Sequence, residues 1–166
     1  MNKTLRILGL DPGLRRTGWG VIESEGSALR HIAHGTIQTK SDQTDPERLE
    51  TLHDLLSAVI AEWAPHTVAV EKTFVNKDPA SALKLGQARG VSLLVPACAG
   101  LAVSEYAPNL VKKSIVGNGH ATKEQVSTMI GVLLPTAKVK GFDAADALAI
   151  AICHAHHHAS KAMVRA

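Results

Sequence analysis

A chain of 166 residues with 45% hydrophobic and 20% charged residues has the size and composition of one globular domain, which excludes a disordered or fibrous chain. No apolar run is long enough to span a bilayer, and Arg6 and Asp11 interrupt the opening MNKTLRILGLDPG before a signal-peptide core forms, so a cytoplasmic location is expected. The net charge of +3 favours a polyanionic partner, while two Trp, two Phe and one Tyr confine base stacking to one or two side chains.

The chain reads as a single domain over residues 1–158 followed by a flexible tail over 159–166. Residues 5 to 11, TGWGVIES and RHIAHGTIQTK are short alternating runs separated by turns, a pattern that predicts an antiparallel meander of three strands. Asp45 and Pro46 then cap a helix whose Leu49, Leu52, Leu56, Val59, Ile60 and Trp63 recur at helical spacing, so that it covers one face of the sheet. HTVAVEK is a fourth strand. Asp78 and Pro79 open a second helix, apolar on nearly every side, which is expected either at the centre of the fold or at a dimer interface, with Pro96 kinking or ending it. AVSEYAP is a fifth strand, Thr122 and Gln125 form a capping box, and DAADALAIAICHAHHHA is the last helix. The order of elements predicts an α/β fold, a mixed sheet with helices on both faces. Cys98 and Cys153 lie far apart in apolar helical stretches and read as small core residues rather than a disulfide or a metal knuckle.

Four carboxylates sit against their local patterns. Asp11 ends the first strand, Glu71 ends the fourth, and Asp143 and Asp146 start the last helix three residues apart, which puts them on one face with Cβ atoms about 5 to 6 Å apart. Each has an ordinary explanation: Asp143 as an N-cap, Asp146 as a first-turn acid, Asp11 as a turn former, Glu71 as a solvated strand end. Together, at strand ends and a helix start that can converge, they point to one site. Clustered carboxylates resist joint ionisation unless a cation joins them, and hard oxygen ligands select Mg²⁺ or Mn²⁺. Two such ions about 3.5 to 4 Å apart can activate a water and stabilise the leaving oxygen of a phosphodiester.

The blocks GLDPGLRRTGWGVIE, AVEKTF, SALKLGQARGV and DAADALAIAICHAH, in this order from Leu8 to His156, resemble the RuvC family of crossover junction endodeoxyribonucleases. The resemblance implies a ribonuclease-H-like mixed five-stranded sheet and places the family's catalytic, metal-holding carboxylates on Asp11, Glu71, Asp143 and Asp146. It further implies two Mg²⁺ ions per active site with Mn²⁺ as a substitute, a homodimer, and paired nicks in a four-way DNA junction alongside the RuvA and RuvB branch-migration proteins. Phe74 matches the family's junction-contacting aromatic, and a core Phe closing the strand is its plain alternative. Lys112 and Lys123 match basic residues that hold phosphates; a lysine in a helix first turn is electrostatically misplaced unless an anion joins it. Arg15, Arg16, Lys77, Lys84, Arg89 and Lys113 are read as solubilising, with no assigned role. His154 and His158, four apart, have metal-ligand spacing, but with no Cys or acid beside them they read as a solvated helix end or adventitious metal binding.

Two other classes fit parts of the sequence. LGLDPGLRRTG suits the phosphate-binding turn of sugar kinases and actin-like ATPases, whose second phosphate loop has no counterpart here beyond GNG at 117 to 119. A non-catalytic module for branched DNA suits the charge, but has no use for the full set of acids.

Overall fold

The opening apolar run forms strand β1 (Leu5–Asp11) at the centre of a five-stranded sheet. The computed structural model describes the backbone of residues 4–72 and 78–164 and the side chains among them as far as His158. Strands β2 (Arg16–Glu25) and β3 (Ala28–Gln38) fold back as the expected antiparallel meander, with Asp11 opposite Gly18. On the other flank β4 (Thr67–Glu71) and β5 (Ala102–Tyr106) run parallel to β1, giving the order β3-β2-β1-β4-β5. Helices α1 (Asp45–Trp63) and α2 (Pro79–Cys98) make the long connections that parallel strands require.

Alternation along the strands divides the core in two. Leu8, Leu10, Val21, Val68 and Val70 face α1 and α2, meeting Leu52, Leu56, Val59, Ala88 and Val95. Ile7, Ile22 and Ala69 face the other way, toward α3 (Pro108–Val116), α4 (Lys123–Leu133) and α5 (Phe142–Val164). The expected mixed sheet with helices on both faces is the fold observed.

Local details refine the sequence reading. Thr44 rather than Asp45 caps α1: its N–H donates to the Glu47 carboxylate at 2.6 Å, leaving Asp45 and Pro46 in the first turn. Asp78 caps α2 as expected, accepting from the N–H groups of Ala80 and Ser81. The Thr122 and Gln125 box is formed, with Thr122 N–H donating to Gln125 Oε1 at 2.8 Å. PNLVKKSIV, given no helix from sequence, is α3; its nine residues bury only Val111 and Ile115, too few for a periodic signal. α2 is peripheral, with Ala88, Ser92, Val95 and Pro96 buried and Leu83 and Leu94 turned outward. It ends two residues past Pro96, so the proline falls in its last turn. Cys153 is the buried thiol expected, whereas Cys98 is exposed, because the end of α2 turns it away from the sheet.

The placement of α5 decides the rest. It crosses β1 and β2 so closely that a Cβ on Gly9 would stand 2.1 Å from the Ala147 carbonyl oxygen, and one on Gly18 would stand 2.0 Å from that of Asp143. Ala147 and Ala151, both fully buried, form the part of the helix that meets Gly9. The backbone that Gly18 admits is the start of α5.

Candidate active site

Strand parity brings the first two acids together. Asp11 follows Ile7 and Gly9 onto the α5 face of β1, and Glu71 follows Ala69 onto the same face of β4. Leu10 pairs with Val70, so Asp11 and Glu71 are the next neighbours along adjacent parallel strands. Gly18, opposite Asp11, seats the Asp143 backbone, which carries the start of α5 over the strand ends.

A cleft of about 280 Å³ opens there, with Asp11, Glu71 and Asp146 in its lining beside Lys112 and Lys123. Lys112 comes from α3 and Lys123 opens α4, so two helices that pack on α5 each deliver one cation to the acids. Lys123 Nζ lies 3.8 Å from Asp146 Oδ2 and 5.7 Å from the centre of the Phe142 ring. The carboxylate therefore accounts for part of the lysine's unfavourable position in the first turn of its helix.

Burial and mutual repulsion dominate the electrostatics. Asp11 is pushed up to about 8, first by loss of solvent and then by Glu71, Asp146 and Asp143, with Lys123 opposing. Glu71 is pushed up to about 7 by burial and by Asp146, against the pull of Lys112 and Lys123. Asp146 is also raised, chiefly by burial. At neutral pH without a cation, the cleft thus retains protons on groups that would be ionised in water.

Asp143, whose charge acts on Asp11 and Asp146, is itself engaged by an arginine. Its Oδ2 meets Arg16 Nε at 2.8 Å and its side chain is not in the cleft lining, while its charge still helps to raise Asp146. Among the described residues no three His, Cys, Asp or Glu side chains form a ready-made metal cage. The donor set nonetheless suits a hard divalent cation: oxygen ligands only, mutually repelling, and in need of positive charge to ionise together. Side-chain rotation, with the backbone already in place, is what closure on a cation requires.

Other sequence expectations fare differently. Phe74 lies outside the described residues. His154 is not a solvated ligand: it is 5% exposed, with Nδ1 2.9 Å from the Tyr106 hydroxyl and Nε2 3.3 Å from Thr67 Oγ1. It ties α5 to the start of β4 and the end of β5, a structural use that i, i+4 spacing alone does not reveal. Arg16, given no role from sequence, is the direct partner of Asp143; no local signal distinguishes it from Arg15, because the contact is made only when α5 lands on the sheet.

A family model described as crossover junction endodeoxyribonuclease RuvC matches residues 7–154. A Rhizobium johnstonii protein of that name is 55% identical over 166 residues, covering 100% of this chain and 98% of its own. One from Rhizobium meliloti is 59% identical over 157 residues, covering 95% and 92%. Among solved structures, Thermus thermophilus RuvC in complex with Holliday junction substrate superposes with a TM-score of 0.89 at 32% identity, covering 95% of this chain and 96% of that one. The yeast mitochondrial Holliday junction resolvase Ydc2 shares the fold alone, with a TM-score of 0.68 at 13% identity over 98% of this chain and 86% of that one.

Proposed function

The chain belongs to the RuvC family of crossover junction endodeoxyribonucleases, which are metal-dependent, and from that premise we propose that it resolves Holliday junctions through the acid cleft at the start of α5. The observation that carries the proposal is the convergence of Asp11, Glu71 and Asp146 in one cleft whose acids resist joint ionisation at neutral pH without a cation.

Asp11, Glu71, Asp143 and Asp146 are the residues that would hold two Mg²⁺ ions, with Mn²⁺ as a substitute. Bound there, the ions supply activation of a water and stabilisation of the leaving oxygen at the scissile phosphodiester. Lys112 and Lys123 neutralise the DNA backbone that enters the cleft and hold its register, as phosphate contacts do in general. Rigid placement of the acids at strand ends, rather than on free loops, keeps the reacting phosphate aligned. Phe74, three residues beyond Glu71, is proposed as the aromatic that covers an unstacked base at the junction centre.

Two cuts in one junction call for two sites. The homodimer proposal is supported by the outer face of α2, where Leu83 is 71% and Leu94 59% exposed. Gly86 and Gly90 on the same helix have open space where a Cβ would be, which permits a second helix to approach closely. Cooperation with RuvA and RuvB and a cytoplasmic location follow from the family reading; no helix among the described residues is long and apolar enough to cross a membrane.

The test is incubation with Mg²⁺ and a labelled four-way junction beside a linear duplex of the same sequence. Paired symmetric nicks confined to the junction, and abolished by chelation, are expected. Equal cutting of the duplex, or cutting indifferent to chelation, contradicts the proposal.

A further inference from the structure

We propose that Arg16 is a positioning residue that holds Asp143 in reserve at the rim of the cleft, releasing the carboxylate when a divalent cation draws it in. The inference rests on the metal-holding role proposed for Asp143 above. Its starting point is the 2.8 Å contact between Arg16 Nε and Asp143 Oδ2, which occupies the one acid of the four that does not line the cleft.

Both backbones at this contact are fixed, so only side chains can exchange partners. Arg16 is paired with Gln38 at the end of the β2 and β3 ladder. The turn before it is closed by fully buried Thr17, whose Oγ1 donates to the Gly13 carbonyl at 2.8 Å and accepts from the Gly13 N–H at 3.2 Å. On the other side, the Asp143 carbonyl rests against Gly18, whose missing Cβ leaves no slack. A rotation of the Asp143 side chain is the movement that remains.

The contact is also suited to being broken. The two side chains are 59% and 36% exposed, so water screens the attraction and solvates the guanidinium once it is released. A divalent cation flanked by three further carboxylates offers Asp143 a stronger partner than one solvated guanidinium. Arginine keeps its charge at any working pH, so the reserve is set by competition between cations and not by titration of Arg16.

Competition predicts its own signature in metal binding by the DNA-free protein, read by Mn²⁺ electron paramagnetic resonance titration. Arg16→Gln should bind Mn²⁺ roughly threefold to tenfold more tightly, with Arg16→Lys, which retains charge without the Nε geometry, in between. In an Asp143→Asn background the same Arg16→Gln change should alter the Kd less than twofold, because no carboxylate remains to be withheld. An equal gain in both backgrounds would mean a long-range charge effect and overturn the role of Arg16 while leaving the metal site intact. Unchanged or weaker binding by Arg16→Gln overturns it as well. If Asp143→Asn alone leaves the Mn²⁺ Kd unchanged, the reading of Asp143 as a ligand fails and the proposal fails with it.

Discussion

Two groups of partly or wholly buried acids occupy one sheet and are treated in opposite ways. Glu23 on β2 is gripped from both sides: Arg6 Nε and Nη2 donate to Oε1 at 3.0 and 2.7 Å, and Arg30 donates to Oε2. The hydrogen bonds from Arg6 come first in holding its carboxyl below the ordinary range. Asp11 and Glu71, a few residues away at the strand ends, face other acids with two lysines nearby, and are pushed up to about 8 and about 7. A carboxylate that serves the fold is given its cations by the chain; the cleft acids are left short of positive charge that must come from outside. That difference separates an ion pair from a metal site more sharply than the presence of acids does.

The largest expected effect lies in the cleft. Asp11→Asn, Glu71→Gln and Asp146→Asn should each slow junction cleavage by roughly 10²-fold or more while leaving junction binding nearly intact, measured by single-turnover cleavage beside gel-shift titration. Wild-type cleavage by any of them breaks the comparison. Phe74→Ala should lower the cleavage rate by about 10-fold with a smaller change in junction affinity, since base stacking acts at the opened centre; unchanged cleavage would leave Phe74 a core residue.

Glu23→Gln should do the reverse, leaving cleavage at permissive temperature unchanged and costing about 1–2 kcal/mol of stability, a Tm fall of roughly 3–6 °C, a figure kept low because solvent screens the Arg30 side. A depressed carboxyl contributes stability that is present above its unfolded value and lost as the pH falls, so this deficit should shrink in acid. Asp11 has the opposite sign. Its raised value means that the native state gives up stability as pH rises from the ordinary carboxylate range through about 8. Metal-free Asp11→Asn should therefore melt roughly 2–4 °C above the wild type at pH 8, with a smaller gain at pH 5, as followed by circular dichroism.

How much of this was legible in the sequence depends on how local each signal is. The meander, the caps at Asp78 and Thr122, and the four misplaced acids are visible because each is written within a few residues. Helix α3 is not, because two buried residues make no period. Nor is the arrangement at the start of α5: the three-residue spacing of Asp143 and Asp146 predicts a shared face, but not that the contact with Gly18 also presents Asp143 to Arg16. His154 reads in sequence as part of a solvated helix end and is a buried tie to Tyr106 and Thr67 in the fold. For Asp143 and His154 the missing information is which surface the last helix meets.

The central claim is that at neutral pH the cleft acids hold protons that a divalent cation displaces. Calorimetric titration of the metal-free protein with Mg²⁺ at pH 7, repeated in buffers of differing ionisation enthalpy, counts the protons released on binding. The account predicts net proton release by the wild type, and markedly less by Asp11→Asn. Binding of Mg²⁺ by the wild type without proton release would contradict it.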